Sequence, residues 1–165
     1  MNSPYMGKFK VTQTRHSQHD GLDLVGIDSK VIHATVTGTV QYAGWENEAD
    51  KSQGFGQYVC IKGCDGKYYY YGHLSEIKVK TGQIIGVTSV IGIEGSTGKS
   101  TGSHCHYCVR PVFAAGQSLD VCAISGIPNA IGIYDDGYRE SDAHKQAHRI
   151  EVYIDGQKKY SGLLD

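Results

Sequence analysis

The chain has 165 residues and a formal net charge of -1, enough for one domain with a real core and a short appendage. Charges of both signs are scattered with no basic run, which gives no electrostatic case for nucleic acid or an anionic membrane surface. No window approaches the roughly 18 apolar residues of a membrane span.

The 22 glycines and 12 tyrosines, against 3 prolines and 3 phenylalanines, suit tight turns and half-buried strands, hence a β-rich domain with many hairpins. The opening MNSPYMGKFK has no apolar core of a signal peptide. The 5 cysteines are odd in number, and their spacing shows no disulfide framework. Cys105 and Cys108 should fall on opposite faces of one strand, so free thiols are expected.

Taken in chain order, GTVQYAG (38–44) alternates in the manner of a strand. QYVCIKG (57–63) and KYYYYGHL (67–74) flank an Asp65-Gly66 turn signal and predict a hairpin. The tyrosines 68–71 should alternate between core and groove. IKVKTGQII (77–85) and SVIGIEG (89–95) read as short strands broken by glycines, and SHCHYCVRPVF (103–113) as a strand that ends near Pro111. Little reads as helix beyond one turn in SLDVCAISGI. The polar stretch 128–148 reads as a loop or linker. RIEVYIDGQKKYSGLL (149–164) predicts a second hairpin with Asp155-Gly156 at its turn. The expected organisation is a compact, mostly β core over 1–125, a linker over 126–148 and a hairpin extension over 149–165. An isolated hairpin is marginal in water, so it should pack on the core, join a sheet edge or pair with another copy as a homodimer.

The segment RHSQHDGLDLVG (15–26) holds His-x-x-x-Asp twice, as His16 with Asp20 and as His19 with Asp23. Zinc accepts imidazole nitrogen and carboxylate oxygen, and a catalytic site commonly has three protein ligands and one open position. Residues i and i+2 of a strand share a face, so His104 and His106 lie together while Cys105 points away. His73 ends a predicted strand. Each piece alone is an ordinary feature of loops and strands. Three histidine-bearing segments and the glycine-rich approach EGSTGKSTGSH, in one small β domain, point to a metal site.

HDGLD, YGHL and GSTGKSTGSHCHY, in that order, resemble the motifs of the lysostaphin and LytM group of zinc metallopeptidases, which cut peptide bonds in bacterial peptidoglycan. The resemblance runs from about residue 8 to about residue 120. It favours His19 and Asp23, with Gly21 between them, over His16 and Asp20. It implies one zinc ion per chain held by His19, Asp23 and His106, with water in the fourth place and His73 and His104 as catalytic histidines beside it. It also implies an antiparallel β core with an open groove for an extended peptide.

The sequence departs from the family at two places. Cys108 stands where members usually have a polar residue, often glutamate. A small buried residue supporting the sheet is the favoured reading there; a thiol near the metal, or a competing ligand, is the sharper one. Some members also carry a tyrosine shortly before the first ligand. None stands in VTQTRHSQ, where Arg15 and His16 are the available positive groups. The expected function is a zinc endopeptidase acting on peptidoglycan cross-links or stem peptides; the alternative is a catalytically silent wall-binding or phage-tail module of the same fold. Nucleic acid and membrane insertion are not expected. Without a visible signal peptide, the expected history is synthesis in the cytoplasm and action on the wall, as a phage lysin, a virion component or a protein whose leader has been removed.

Overall fold

The computed structural model describes residues 1–114 and 117–137, together with the backbone of 150–154 and 157–162. Its main sheet has eight strands, all paired antiparallel. In chain order they are β1 (Lys8–Gln13), β2 (Leu22–Gly26), β4 (Gly38–Trp45), β5 (Gln57–Gly63), β6 (Tyr68–Gly72), β8 (Ile84–Ile85), β10 (Cys105–Arg110) and β11 (Gly132–Asp135). In space the order is β11-β1-β2-β10-β6-β5-β4-β8. A three-stranded sheet of β3 (Val31–His33), β9 (Val90–Ile93) and β7 (Glu76–Ile77) covers one side. The mostly β architecture expected from glycine and tyrosine content is the one observed. Among the described residues, no helix is long and apolar enough to cross a membrane.

Period-2 alternation divides the main sheet into two unlike faces. Phe9, Val11, Leu22, Leu24, Tyr69, Tyr71, Cys105, Tyr107 and Val109 point into the main core with Ile32, Leu74 and Ile91 from the covering layer. The hydroxyls of Tyr71 and Tyr107 end on the Thr35 hydroxyl at 2.6 and 2.9 Å, so burial leaves neither without a partner. Tyr58, Cys60, Tyr70 and Cys108 form a second, smaller cluster on the opposite face, flanked by Tyr42, Phe55, Tyr68 and Phe113. The tyrosine run thus serves both faces, as its alternation predicts.

The β5–β6 hairpin turns at Gly66, which has φ +81°, a conformation open to glycine. The single helical turn is α1 (Val121–Ser125), capped by the Asp120 carboxylate, which accepts from the backbone N–H groups of Cys122 and Ala123. All five cysteines are free. Cys105 and Cys108 sit in different clusters, and burial pushes the Cys60 thiol up to about 12, which leaves it unreactive.

The stretch 77–85, read as short strands broken by glycines, holds the end of β7 and all of β8, which belong to different sheets with a turn between them. The structure corrects the reading in two places. The stretch 128–148, read as loop or linker, contributes β11, which pairs with β1 from Lys8↔Asp135 to Val11↔Gly132. It is a four-residue edge strand whose Ile133 is exposed, so its pattern carries little burial signal. Strands β1 to β3 also lie in segments with no expected element. The strands of the C-terminal hairpin, β12 (Ile150–Ile154) and β13 (Gln157–Gly162), pair antiparallel in a sheet of their own. Asp155, Gly156 and residues 138–149 lie outside the described residues.

Candidate metal and catalytic site

Register brings the distant motifs together. Asp23 of β2 is paired with His106 of β10, and His106 is paired in turn with Gly72 of β6. His73 follows Gly72 directly, so the acid and two of the histidines come from one row across three adjacent strands. His19 arrives from the β1–β2 connection, where His16 and His19 exchange backbone hydrogen bonds in a tight loop. That loop lies directly on β10. A Cβ on Gly21 would stand 2.6 Å from the Tyr107 carbonyl and 2.8 Å from His106 Nε2, so no side chain fits between the two motifs.

Three atoms converge: His19 Nε2, Asp23 Oδ1 and His106 Nδ1, separated by 3.1, 3.2 and 2.9 Å. The other nitrogens fix the tautomers. His19 Nδ1 donates to the Thr14 carbonyl at 2.9 Å, which can only accept, so neutral His19 presents a bare Nε2. His106 Nε2 faces the Asp20 carboxylate at 3.1 Å, so neutral His106 presents a bare Nδ1. In their neutral forms two imidazole lone pairs and a carboxylate oxygen therefore point at one another, a donor set able to hold a metal ion. Zinc bonds of about 2.0–2.1 Å in tetrahedral geometry give ligand-to-ligand edges of about 3.4 Å, close to the separations found. The donor set and its spacing fit zinc.

Protons respond to the same field. Burial opposes charge on His106, but its hydrogen bonds to the Asp20 and Asp23 carboxylates outweigh it and raise its pKa well above the usual value. His19 rises as well, its burial outweighed by Asp23 and Thr14. Burial likewise disfavours ionised Asp23, yet His106 and His19 hold its carboxyl well below the ordinary range.

His73 and His104 flank this cluster with ring centroids 4.6 Å apart. His73 Nδ1 donates to the Thr97 carbonyl at 2.7 Å, and His104 Nδ1 to the Gly102 carbonyl at 2.8 Å. Both rings thus turn Nε2 inward; His104 Nε2 lies 3.7 Å from Asp23 Oδ1. Burial, reinforced by the neighbouring His104 and His106 and opposed by Thr97, lowers the His73 pKa to about 4, so this imidazole is neutral at pH 7. His73 is also one of the few non-glycine residues with positive φ, +61°. Strain of that kind persists where surroundings over-determine it, and here the His73 N–H bonds the Phe55 carbonyl at 2.7 Å.

The histidines and Asp23 open into a cleft of about 460 Å³ that is also lined by Gln13, Gln18, Glu46, Phe55, Lys99 and Thr101. The loop over 45–55, unreadable as a pocket in sequence, supplies one wall. Glu46 accepts from the Phe55 N–H and so holds that wall's tip. The glycine-rich approach to His104 supplies another, and Gly98 packs so closely on Gly56 that a Cβ would meet its backbone N at 2.2 Å.

All five residues expected at the site are gathered there. His16 is not: its ring sits beside His19 at 5.7 Å and lines none of the cleft. Arg15 also points elsewhere, donating from Nη2 to the Ser118 carbonyl. Cys108 is fully buried in the second cluster, in keeping with a packing role. Its sulfur, with Asp20 and His106, also forms a second group of neighbouring donors.

Sequence reasoning missed two supports. Asp20 grips His106 from 86 positions away. Glu94, buried beneath the glycine-rich loop, gathers donors from Tyr5, Gly26, Lys30 and Ser103 at 2.5–2.8 Å. The Asp in HDGLD was in view, but nothing in its spacing ties it to residue 106.

Residues 17–121 match the peptidase family M23. The chain belongs to peptidase family M23. The DD-carboxypeptidase/endopeptidase Mpg of Neisseria meningitidis is 34% identical over 92 residues, 56% of this chain and 20% of that protein. Lysostaphin of Staphylococcus simulans is 33% identical over 90 residues, 54% of this chain and 17% of that protein. This M23 chain thus spans about a fifth of the length of these curated relatives. Among solved structures, the catalytic domain of the prophage-encoded M23 protein EnpA from Enterococcus faecalis is 28% identical with a TM-score of 0.60, covering 72% of this chain and 93% of that one. The lysostaphin structure is 27% identical with a TM-score of 0.60 over 71% of this chain and 48% of its own. The expected lysostaphin-like family and fold are those found.

Proposed function

We propose that this M23 chain is a zinc-dependent endopeptidase that hydrolyses peptide bonds in bacterial peptidoglycan, in cross-links or stem peptides. The observation that carries the reading is the convergence of three ligand atoms, His19 Nε2, Asp23 Oδ1 and His106 Nδ1, within 3.2 Å of one another on the floor of an open cleft. A relative named DD-carboxypeptidase/endopeptidase and a solved zinc-containing peptidase from Vibrio cholerae, 26% identical with a TM-score of 0.50 over 61% of this chain and 32% of its own, support the reaction class and the metal.

His19, Asp23 and His106 would hold the ion, and zinc supplies a Lewis acid for the scissile carbonyl and a water of lowered pKa. The remaining work falls to the chain's own residues. His73 and His104, each anchored through Nδ1 to a backbone carbonyl, turn two Nε2 atoms toward the reacting centre. One takes a proton from the attacking water; the pair then delivers a proton to the leaving amine. In its protonated form, either imidazole also donates to the developing oxyanion. The sheet face floors the groove, and Phe55 with the 96–104 loop aligns an extended peptide across it.

The test is digestion of purified peptidoglycan of several chemotypes, with and without a zinc chelator, and mass analysis of the fragments. New amino termini that appear only with the metal present are expected. Tight wall binding with no cleavage at full zinc loading would favour the silent binding module instead.

A further inference from the structure

We propose that Asp20 is a positioning residue for His106, holding the imidazole so that its Nδ1 lone pair stays aimed between His19 and Asp23. The inference rests on the zinc-peptidase reading above and assigns work to a residue outside the five expected at the site.

Asp20 Oδ1 accepts from His106 Nε2 at 3.1 Å. The carboxylate is itself fixed from two sides, by Arg110 Nη2 at 2.9 Å and the Ser118 hydroxyl at 2.6 Å. Arg110 in turn lies over the rings of Phe55 and Tyr70, 5.4 and 5.0 Å from their centroids. A continuous relay therefore runs from the aromatic side of the cleft floor through Arg110 and Asp20 to His106.

A metal-bound imidazole commonly donates its other N–H to a carboxylate, which sets the tautomer and makes the ligating nitrogen more basic. No other acceptor of that strength reaches this nitrogen among the described residues. Position 108, on the same face of β10, holds a fully buried cysteine, and a thiol is a weak acceptor. The packing at Gly21 makes the arrangement specific, because the loop carrying Asp20 approaches β10 with no side chain between them.

Asp20, His106 and Cys108 also form a group of donors close enough for a metal. The guanidinium of Arg110 already sits 2.9 Å from Asp20 Oδ2 and would oppose a second cation there, so the hydrogen-bonding role is the one the geometry favours.

The experiment uses the full chain and its Asp20→Ala and Asp20→Asn variants. Zinc affinity and stoichiometry are measured by competition with a chromophoric chelator, melting temperature on the metal-free proteins, and imidazole N–H protons by NMR on the zinc-loaded ones. Asp20→Ala should weaken zinc binding about 10–100-fold and abolish the slowly exchanging His106 Nε2–H resonance, while the metal-free protein still unfolds cooperatively at a lowered melting temperature. Asp20→Asn keeps an acceptor without the charge and should fall between the two. Unchanged affinity in Asp20→Ala would overturn the proposal. So would two zinc ions in wild type falling to one in that variant, because Asp20 would then be a ligand. If Asp20→Ala fails to fold, the wild type decides: absence of a protected N–H assigned to His106 Nε2 in its zinc-loaded spectrum overturns the proposal. A wild type that binds no zinc at all sinks the zinc-peptidase reading itself and this inference with it.

Discussion

On one face of β10, Cys105, Tyr107 and Val109 are sealed in the main core, and the single polar atom of Tyr107 ends on Thr35. On the other face, His106 and Arg110 reach carboxylates, and only Cys108 is packed among apolar neighbours. Six consecutive residues thus supply both the closed, fully paired interior and the charged floor of a cleft. Strand alternation makes this division possible. The backbone that carries His106 is anchored by residues one position away that never touch the cleft. Substitutions on the core face should therefore cost stability, and those on the cleft face should cost metal or turnover with the fold retained.

The strongest break in that comparison is His106→Ala, which should remove bound zinc and all measurable cleavage together while the metal-free protein keeps its far-ultraviolet circular dichroism spectrum. Next are His104→Ala and His73→Ala. Each should retain most of the zinc and lower turnover by about 10²–10⁴-fold, the usual size of an acid–base contribution. Metal analysis paired with single-turnover rates separates these groups. If His104→Ala empties the site and His106→Ala leaves it filled, the roles are reversed. Neither histidine variant slowing cleavage would remove both from the mechanism.

On the core face, Tyr107→Ala should cost about 3–5 kcal/mol of unfolding free energy, the range for removing a large buried aromatic side chain, read as a shift in denaturant midpoint. A loss confined to activity there would contradict the division of labour. The smallest expected effect is that of Glu94→Gln. Burial raises the Glu94 pKa, but donors from Lys30, Ser103, Tyr5 and Gly26 outweigh it, and the folded-state value lies below the unfolded one. Its stabilisation is therefore present above an unfolded pKa of about 4.3 and is lost as pH falls through the lower folded value. The variant should flatten the fall in stability in acid below about pH 4.3 and leave zinc content at pH 7 unchanged. An acid limb identical to wild type would show that Glu94 does not contribute to it.

The site was legible in sequence where its chemistry is carried by short-range periodicity. His104 and His106 share a face because of the two-residue period of a strand, and the Asp-Gly turn between β5 and β6 brings Tyr68–Gly72, and with it His73, back alongside. The ordered motifs of a known family then selected His19 and Asp23 over His16 and Asp20. Legibility ended where function depends on register between distant strands. The contact of Asp20 with His106 follows from the packing of Gly21 against β10, which no local pattern encodes. Glu94 looks like an ordinary residue before a glycine-rich loop and becomes a hub only when Tyr5 and Lys30 reach it. In the fold, KFKVTQ of β1 carries an alternation in which Phe9 and Val11 are buried. β11 carries a weaker signal, because in this edge strand of four residues Ile133 is exposed and the other three, Tyr134 against the core among them, are only half-buried.

The most direct test of the central claim is anomalous scattering at the zinc edge from crystals of the zinc-loaded chain. The account predicts one ion per chain, bonded at about 2.0–2.2 Å to His19 Nε2, His106 Nδ1 and an Asp23 carboxylate oxygen, with His73 and His104 outside bonding distance. An ion held by Asp20 and Cys108 or by His16, or no ordered ion at saturating zinc, would contradict it.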